Sequence, residues 1–315
     1  MTDHLDAPHQ LLLQMLRDFV EAEVRPKAKA VDEEERFPEE TVRQMARYGL
    51  MGIPFPKEYG GAGGDNLAYT LAVEELSKAC GTTGVILSAH TSLCAAPIYE
   101  HGTEAQKQKH LVPLAKGEKL GAFALTEPAA GTDAAGQQTT AERRGDTYVL
   151  NGSKIFITNA GYADTYIVMA MTDKAKGTRG ISAFIVEKGT PGFRIGKKEE
   201  KMGIRGSATC ELIFEEAAIP AENLLGKEGG GFGVAMKTLD GGRIGIAAQA
   251  LGIAQGAIDA TVAYVKERKQ FGKPLSAFQN TQFQLADMQV RTDAARLLVY
   301  RAARRKDARL PYSVE

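Results

Sequence analysis

The spacing of apolar residues changes twice along this chain, and the two changes limit the architectures open to it. From residue 11, Leu12, Met15, Leu16, Phe19 and Val20 recur at helical intervals. That spacing predicts an amphipathic helix closed by Pro26, a residue with no amide hydrogen to offer the preceding turn. A second helix is expected from Pro38 to Tyr48, with proline in its first turn and Gly49 just past its end. Helices over about residues 66–80 and 82–100 follow, and Thr103 with Gln106 spells a capping box that opens another toward Leu114. At Gly121 the texture turns to short runs rich in β-branched and aromatic residues. Thr147-Tyr148-Val149-Leu150, Ile155-Phe156-Ile157-Thr158, Thr165-Tyr166-Ile167-Val168 and Ala183-Phe184-Ile185-Val186 read as strands, and so does Cys210 to Phe214. Asn151-Gly152, between the first two, reads as a type I′ hairpin turn. The strands are expected to end near Pro220. After Gly229-Gly230-Gly231 the helical spacing returns, broken around Gly272 to Pro274 and running to about Ala308.

The order is α, β, α, which makes the fold class α+β. An N-terminal all-α domain (1–118), a middle β-barrel-like domain (119–225) and a C-terminal α-helical bundle (226–315) are expected. The bundle is expected to be incomplete. One of its two long helices carries Ile244, Ile246, Leu251, Ile253 and Ile258, the other Leu285, Met288, Val290, Leu297 and Leu298, and two helices do not close a bundle around such stripes. Pro311 to Glu315 reads as the first turn of a further helix, so the chain is expected to be truncated or a fragment.

Lys+Arg and Asp+Glu both number 39, for a net charge of zero, so no long-range field favours nucleic acid or an anionic membrane. No stretch approaches ~18 consecutive apolar residues, and no basic leader with an apolar run opens the chain. Three separated cysteines, Cys80, Cys94 and Cys210, suit a reducing compartment. A cytoplasmic protein with a small-molecule or protein partner is expected. The zinc-hydrolase, nucleophile-elbow, P-loop and strict dinucleotide motifs are missing. His4, His9, His90, His101 and His110 fall at no metal-ligand spacing, so they read as surface or packed residues and no metal is expected. Gly60-Gly61 and Gly229 to Gly231 read as loops between helices rather than phosphate cradles.

Three motifs carry the chemistry. Residues 124–136 read Ala-Leu-Thr-Glu-Pro-Ala-Ala-Gly-Thr-Asp-Ala-Ala-Gly, residues 151–159 read Asn-Gly-Ser-Lys-Ile-Phe-Ile-Thr-Asn, and residues 267–273 read Glu-Arg-Lys-Gln-Phe-Gly-Lys with Phe278-Gln279 close behind. In this order and spacing the chain resembles the acyl-CoA dehydrogenase family, and within it the short-chain (butyryl-CoA) type. The resemblance implies an FAD enzyme that converts an acyl-CoA to its trans-2-enoyl-CoA and passes electrons to an electron-transferring flavoprotein. A flavin ring needs hydrogen bonds at its polar edges and an apolar wall. By resemblance, Phe123, Leu125 and Thr126 supply contacts from one strand, Phe156 and Thr158 from the next, with Phe156 standing where many relatives carry Trp. Gly131 lets backbone approach the cofactor, and Thr132 lies where the family's Ser or Thr meets the acyl-CoA. Arg268, Gln270, Phe271 and Gln279 are expected to hold the pyrophosphate and adenosine end of a neighbouring subunit's FAD, a role suited to the planar guanidinium fork. This implies a homo-oligomer, in this family usually a tetramer.

Asp240-Gly241-Gly242-Arg243 matches the family's D-x-x-R, a substrate-side element, and Asp240 and Arg243 lie on one helix face, where a local ion pair is equally possible. The reaction requires a carboxylate base. Isovaleryl and long-chain members keep a Glu on this helix, where the chain has Gly242; short- and medium-chain members keep it in a later Y-E-G-T segment. The base is therefore expected beyond Glu315, and this chain by itself is expected to be inactive. The competing readings are an acyl-CoA oxidase or flavin monooxygenase on the same scaffold and a non-catalytic flavin- or acyl-CoA-binding fragment.

Overall fold

A computed structural model describes residues 5–314. The helices are α1 (Ala7–Phe19), α2 (Arg25–Glu33), α3 (Glu39–Arg47), α4 (Asn66–Ala79), α5 (Gly81–Ser88), α6 (Ala96–His101), α7 (Glu104–Gln106), α8 (Val112–Ala115), α9 (Gly231–Glu267) and α10 (Gln279–Asp307). Strands β1 (Gly121–Ala124), β2 (Thr140–Arg144), β3 (Thr147–Thr158), β4 (Thr165–Met171), β5 (Ile181–Glu187), β6 (Phe193–Lys198), β7 (Thr209–Pro220) and β8 (Leu224–Leu225) lie between α8 and α9. The short pair β9 (Lys269–Gln270) and β10 (Lys273–Pro274) separates α9 from α10. The expected α+β fold, helical then β then helical, is the one observed. The chain packs as two compact units, a sheet unit from Ala30–Gly64 and Ile86–Arg243, and a helical unit from the segments up to Lys29, Asp65–Val85 and from Ile244 onward.

In the sheet unit the strands run β6-β7-β3-β2-β4-β5-β8, with β1 added in parallel to β4. All seven residues of β4 are buried, because both faces of the sheet are covered there. Tyr166, Val168 and Ala170 point into a core with Tyr148, Leu150, Phe184, Leu212 and Phe214. Ile167, Met169 and Met171 point into another with Cys94, Leu111, Leu114, Val234 and Ala235. This is the period-two alternation of a strand put to use on both sides, and each large side chain so buried contributes roughly 2 kcal/mol. Gly231 opens α9 because the chain needs no side chain there: a Cβ would lie 2.3 Å from the Ser182 carbonyl carbon of β5.

In the helical unit, Asp6 caps α1 and Asp65 caps α4, each accepting a backbone N–H three residues on. Asp307, at the end of α10, accepts from the Asn66 and Leu67 amides at the N-terminus of α4, where the helix dipole favours a carboxylate. By length and composition alone α9 is apolar enough to span a bilayer.

Several local expectations are corrected. Pro26 does not end the first helix: a π-helical turn at Val20–Val24 leads into α2, and Pro26 falls in its first turn, where a missing amide costs little. Residues 82–100 are helical but carry a π-helical stretch at Ala89–Ala95. Asn151-Gly152 is not a hairpin turn. β3 runs through it, pairing with β7 on both sides of a register shift, and position 152 requires glycine both for its φ of +140° and because a Cβ would sit 2.7 Å from the Thr139 Cα. β8 extends the sheet beyond Pro220. Pro311–Val314 form no helical turn; Glu315 lies outside the described residues.

Candidate active site

The signature strand β1 is anchored at both polar groups of its first residue. Gly121 donates its N–H to His90 Nδ1 at 3.0 Å, while its carbonyl accepts from Asn159 Nδ2 at 3.1 Å. His90 Nε2 in turn donates to the Leu114 carbonyl at 3.1 Å, which assigns the tautomer. Burial pushes His90 down to about 4, against two backbone hydrogen bonds that favour its charged form. Burial likewise takes His110 to about 4, with Glu187 pulling the other way. Both imidazoles are neutral in the folded state at neutral pH. Their folded values lie below the unfolded 6.5, so the stability they contribute is complete above pH 6.5 and is lost as pH falls through about 4. Urea unfolding between pH 7 and 4 is expected to show a loss approaching roughly 3 kcal/mol for His90. A His90→Gln, His110→Gln double variant is expected to flatten that profile; equal slopes for variant and wild type would exclude the histidines as its cause.

Beyond β1 the chain continues through Leu125, buried, and Thr126, half-buried. The Ile155 N–H donates to the Thr126 carbonyl at 2.9 Å and so lays this extension beside β3. At that point β3 bulges between Lys154 and Ile157, and Phe156 adopts φ +59°. A left-handed conformation is costly for a bulky residue, on the order of 1–2 kcal/mol. Its effect is to turn the ring outward, 58% exposed, while Ile157 returns to the core. Phe123 and Thr158 are half-buried nearby in sequence on the same two strands. Among the described residues the hydroxyls of Thr126 and Thr158 and the Thr126 N–H make no hydrogen bond. Gly131 and Thr132 are exposed in the loop that follows. A Cβ on Gly131 would meet nothing within 4 Å, so the chain's own packing does not require glycine there.

Under this surface lies a polar cluster absent from the sequence reading. Lys154, wholly buried, donates to Glu127 Oε1 at 2.7 Å, Gln137 Oε1 at 2.9 Å and the Leu125 carbonyl at 3.1 Å. Glu127 also accepts from the Gln138 amide at 2.6 Å and the Thr139 amide at 3.1 Å, which closes the Gly131–Thr132 loop at its base. Burial takes Lys154 down to about 8, opposed by Glu127, so it stays charged at neutral pH. Burial raises Glu127, but the Lys154 charge and the hydrogen bonds outweigh it and hold the carboxyl low. A signal existed in the sequence: Lys154 shares its strand parity with the buried Tyr148 and Leu150.

Asp240 and Arg243 lie one turn apart on α9, Asp240 half-buried and Arg243 exposed. At Gly242 an added Cβ would come within 2.6 Å of Leu93 Cδ2. The remaining expected site residues belong to the helical unit. Gln270 pairs with Lys273 across a two-residue turn in which Phe271 and Gly272 both have positive φ, a type I′ geometry. The turn presents the Phe271 ring, 92% exposed. Arg268 and Gln279 flank the hairpin, both exposed, and the Arg268 guanidinium is unpaired among the described residues. The described residues contain no cluster of metal-ligating side chains.

Family models for the N-terminal, middle and C-terminal domains of acyl-CoA dehydrogenase match residues 6–118, 122–217 and 229–315. The chain belongs to the acyl-CoA dehydrogenase family. It is 65% identical to the short-chain-specific acyl-CoA dehydrogenase of Clostridium acetobutylicum, over 100% of this chain and 83% of that one. Its fold matches the butyryl-CoA dehydrogenase of Megasphaera elsdenii with a TM-score of 0.97 and 55% identity, covering 99% of this chain and 82% of the other. A structure described as the electron transferring flavoprotein of Acidaminococcus fermentans, concerned with flavin-based electron bifurcation, matches with a TM-score of 0.98 and 57% identity, covering 99% and 82%. As an acyl-CoA dehydrogenase the chain is an oxidoreductase, and FAD is the cofactor of its family.

Proposed function

We propose that this chain builds the flavin and acyl-CoA site for the FAD-dependent α,β-dehydrogenation of a short-chain acyl-CoA, the α-proton being left to a carboxylate base that position 242 does not supply. The observation that carries the reading is the surface around Phe156: an outward aromatic ring on a strained backbone, beside two hydroxyls and one amide that have no partner among the described residues. Such a set fits a flavin, whose rim takes hydrogen bonds and whose face takes an apolar wall. When bound, FAD supplies the hydride acceptor. Phe123, Leu125 and Phe156 would form the wall and keep water from the reacting carbons, while Thr126 and Thr158 would orient the ring. Gly131 would let backbone come close, and Thr132, Asp240 and Arg243 would hold the acyl-CoA. Arg268, Gln270, Phe271 and Gln279 would grip the pyrophosphate and adenosine end of a second copy's FAD. The exposure of Phe271 and the unpaired Arg268 support that role, and with it a homo-oligomer, read here as a tetramer.

Gly242 supplies no carboxylate on α9, which favours the short-chain type over the isovaleryl and long-chain ones. The identity to a short-chain-specific enzyme supports the same choice, and the flavoprotein relative supports an electron-transferring flavoprotein as acceptor. Three buried free thiols support a reducing, cytoplasmic setting. The test is anaerobic and uses the full-length gene product: loaded with FAD, it is expected to show a bound-flavin spectrum that butyryl-CoA bleaches, while residues 1–315 alone, with no carboxylate at position 242, are expected to bind flavin without being bleached. Failure of the full-length product to retain flavin, or a spectrum of it indifferent to butyryl-CoA, would overturn the proposal. Fast reoxidation by oxygen after bleaching would convert it to an oxidase.

A further inference from the structure

Lys154 raises a question that stability does not answer. Burying an ammonium costs several kcal/mol, and a buried ion pair is often no better than a well-packed apolar pair. Yet all three of its donors are placed, on Glu127, Gln137 and the Leu125 carbonyl. The third is the informative one. The carbonyl of Leu125 belongs to the same planar peptide as the N–H of Thr126, and that N–H has no acceptor among the described residues. A cation on the oxygen of an amide draws electron density along the conjugated unit and makes its N–H a stronger donor. Glu127, the counter-charge, meanwhile ties Gln138 and Thr139 and so fixes the loop carrying Gly131 and Thr132.

We propose that Lys154 and Glu127 are positioning residues for the flavin site: Lys154 holds and polarises the Leu125–Thr126 peptide toward the electron-rich rim of the bound ring, and Glu127 sets the loop that presents Thr132 to the acyl-CoA. The inference rests on the flavin-binding reading above. A donor strengthened in this way favours the reduced ring, where negative charge accumulates, more than the oxidised one. Lys154 therefore acts on how readily the cofactor is reduced as well as on how the strand is held.

The test uses the full-length gene product loaded with FAD. Lys154→Met is expected to retain flavin but to shift its reduction potential downward, and to lower kcat by about tenfold or more while KM moves less than about threefold. Lys154→Arg is expected to restore much of the potential. Glu127→Gln is expected to raise KM for acyl-CoA more than it lowers kcat. Should the Met variant not fold, Lys154→Gln, which keeps a donor without the charge, carries the same comparison. A Lys154 variant with unaltered potential and kcat, and only a lower melting temperature, would overturn the inference while wild type binds flavin and is bleached. Wild type that takes up no flavin would overturn both readings together.

Discussion

Glu74→Ala is expected to cost about 3–5 kcal/mol of stability. Glu74 is 4% exposed on α4 and accepts from Arg296 Nε at 2.9 Å and from the Tyr300 hydroxyl at 2.7 Å, both on α10. Burial and the Glu74 carboxylate together push the Tyr300 hydroxyl up, so it remains a donor at any pH of interest. Removing the carboxylate strands a mostly buried guanidinium, which keeps Asp293 and Gln255 but loses the partner that joins two helices. In urea the midpoint should fall sharply. The Glu74→Ala, Arg296→Met double variant should be more stable than Glu74→Ala alone, because it no longer buries an under-compensated charge. A single variant within 1 kcal/mol of wild type would show that the network is solvated and that its distances carry little energy.

Gly252→Ala is expected to destabilise by about 2–3 kcal/mol, although alanine is the better helix former by roughly 1 kcal/mol. An added Cβ would stand 2.2 Å from the Glu74 carbonyl oxygen and 2.8 Å from the Ser77 Cβ, and backbone cannot rotate away as a side chain can. One turn on, Gly256 meets the Lys78 carbonyl at 2.3 Å, so the two glycines form a groove on α9 that seats α4. Gly233, also on α9, has nothing within 4 Å of its would-be Cβ. Gly233→Ala should therefore be neutral or gain a few tenths of a kcal/mol. Thermal unfolding of the three alanine variants decides it, and an indistinguishable trio would mean that the helices separate easily at this contact.

What could be read ahead of the structure follows from how local each interaction is. Helix ends marked by Thr103 and Gln106, or by Pro38 and Gly49, depend on neighbours a few residues away, and they form where expected. β4 was legible for the same reason, since a run such as Thr165 to Val168 has no other good conformation. Asn151-Gly152 misled because its turn preference is real but weaker than the continuous pairing of β3 with β7. Pro26 misled because a π-helical turn before it removed the hydrogen bond it would have broken. At the candidate site, the motif residues could be named, but not the strained φ of Phe156, which arises from a bulge against β7. Nor could the Lys154–Glu127 pair, whose partners lie 27 positions apart and meet only once the strand register is set.

The buried thiols make the protein its own opening gauge. Cys80 belongs to the helical unit, Cys94 and Cys210 to the sheet unit, and all three are free and buried. Burial pushes Cys94 up to about 12 and Cys210 upward as well, so in the closed state they offer almost no thiolate to a disulfide reagent. Labelling then waits for the surrounding structure to part, and its rate reads the opening free energy of that region. Mass spectrometry of each cysteine peptide along one labelling time course would give two separate clocks from unmodified protein. FAD added to the sample should slow the sheet-unit clock by mass action, whatever it does to the other.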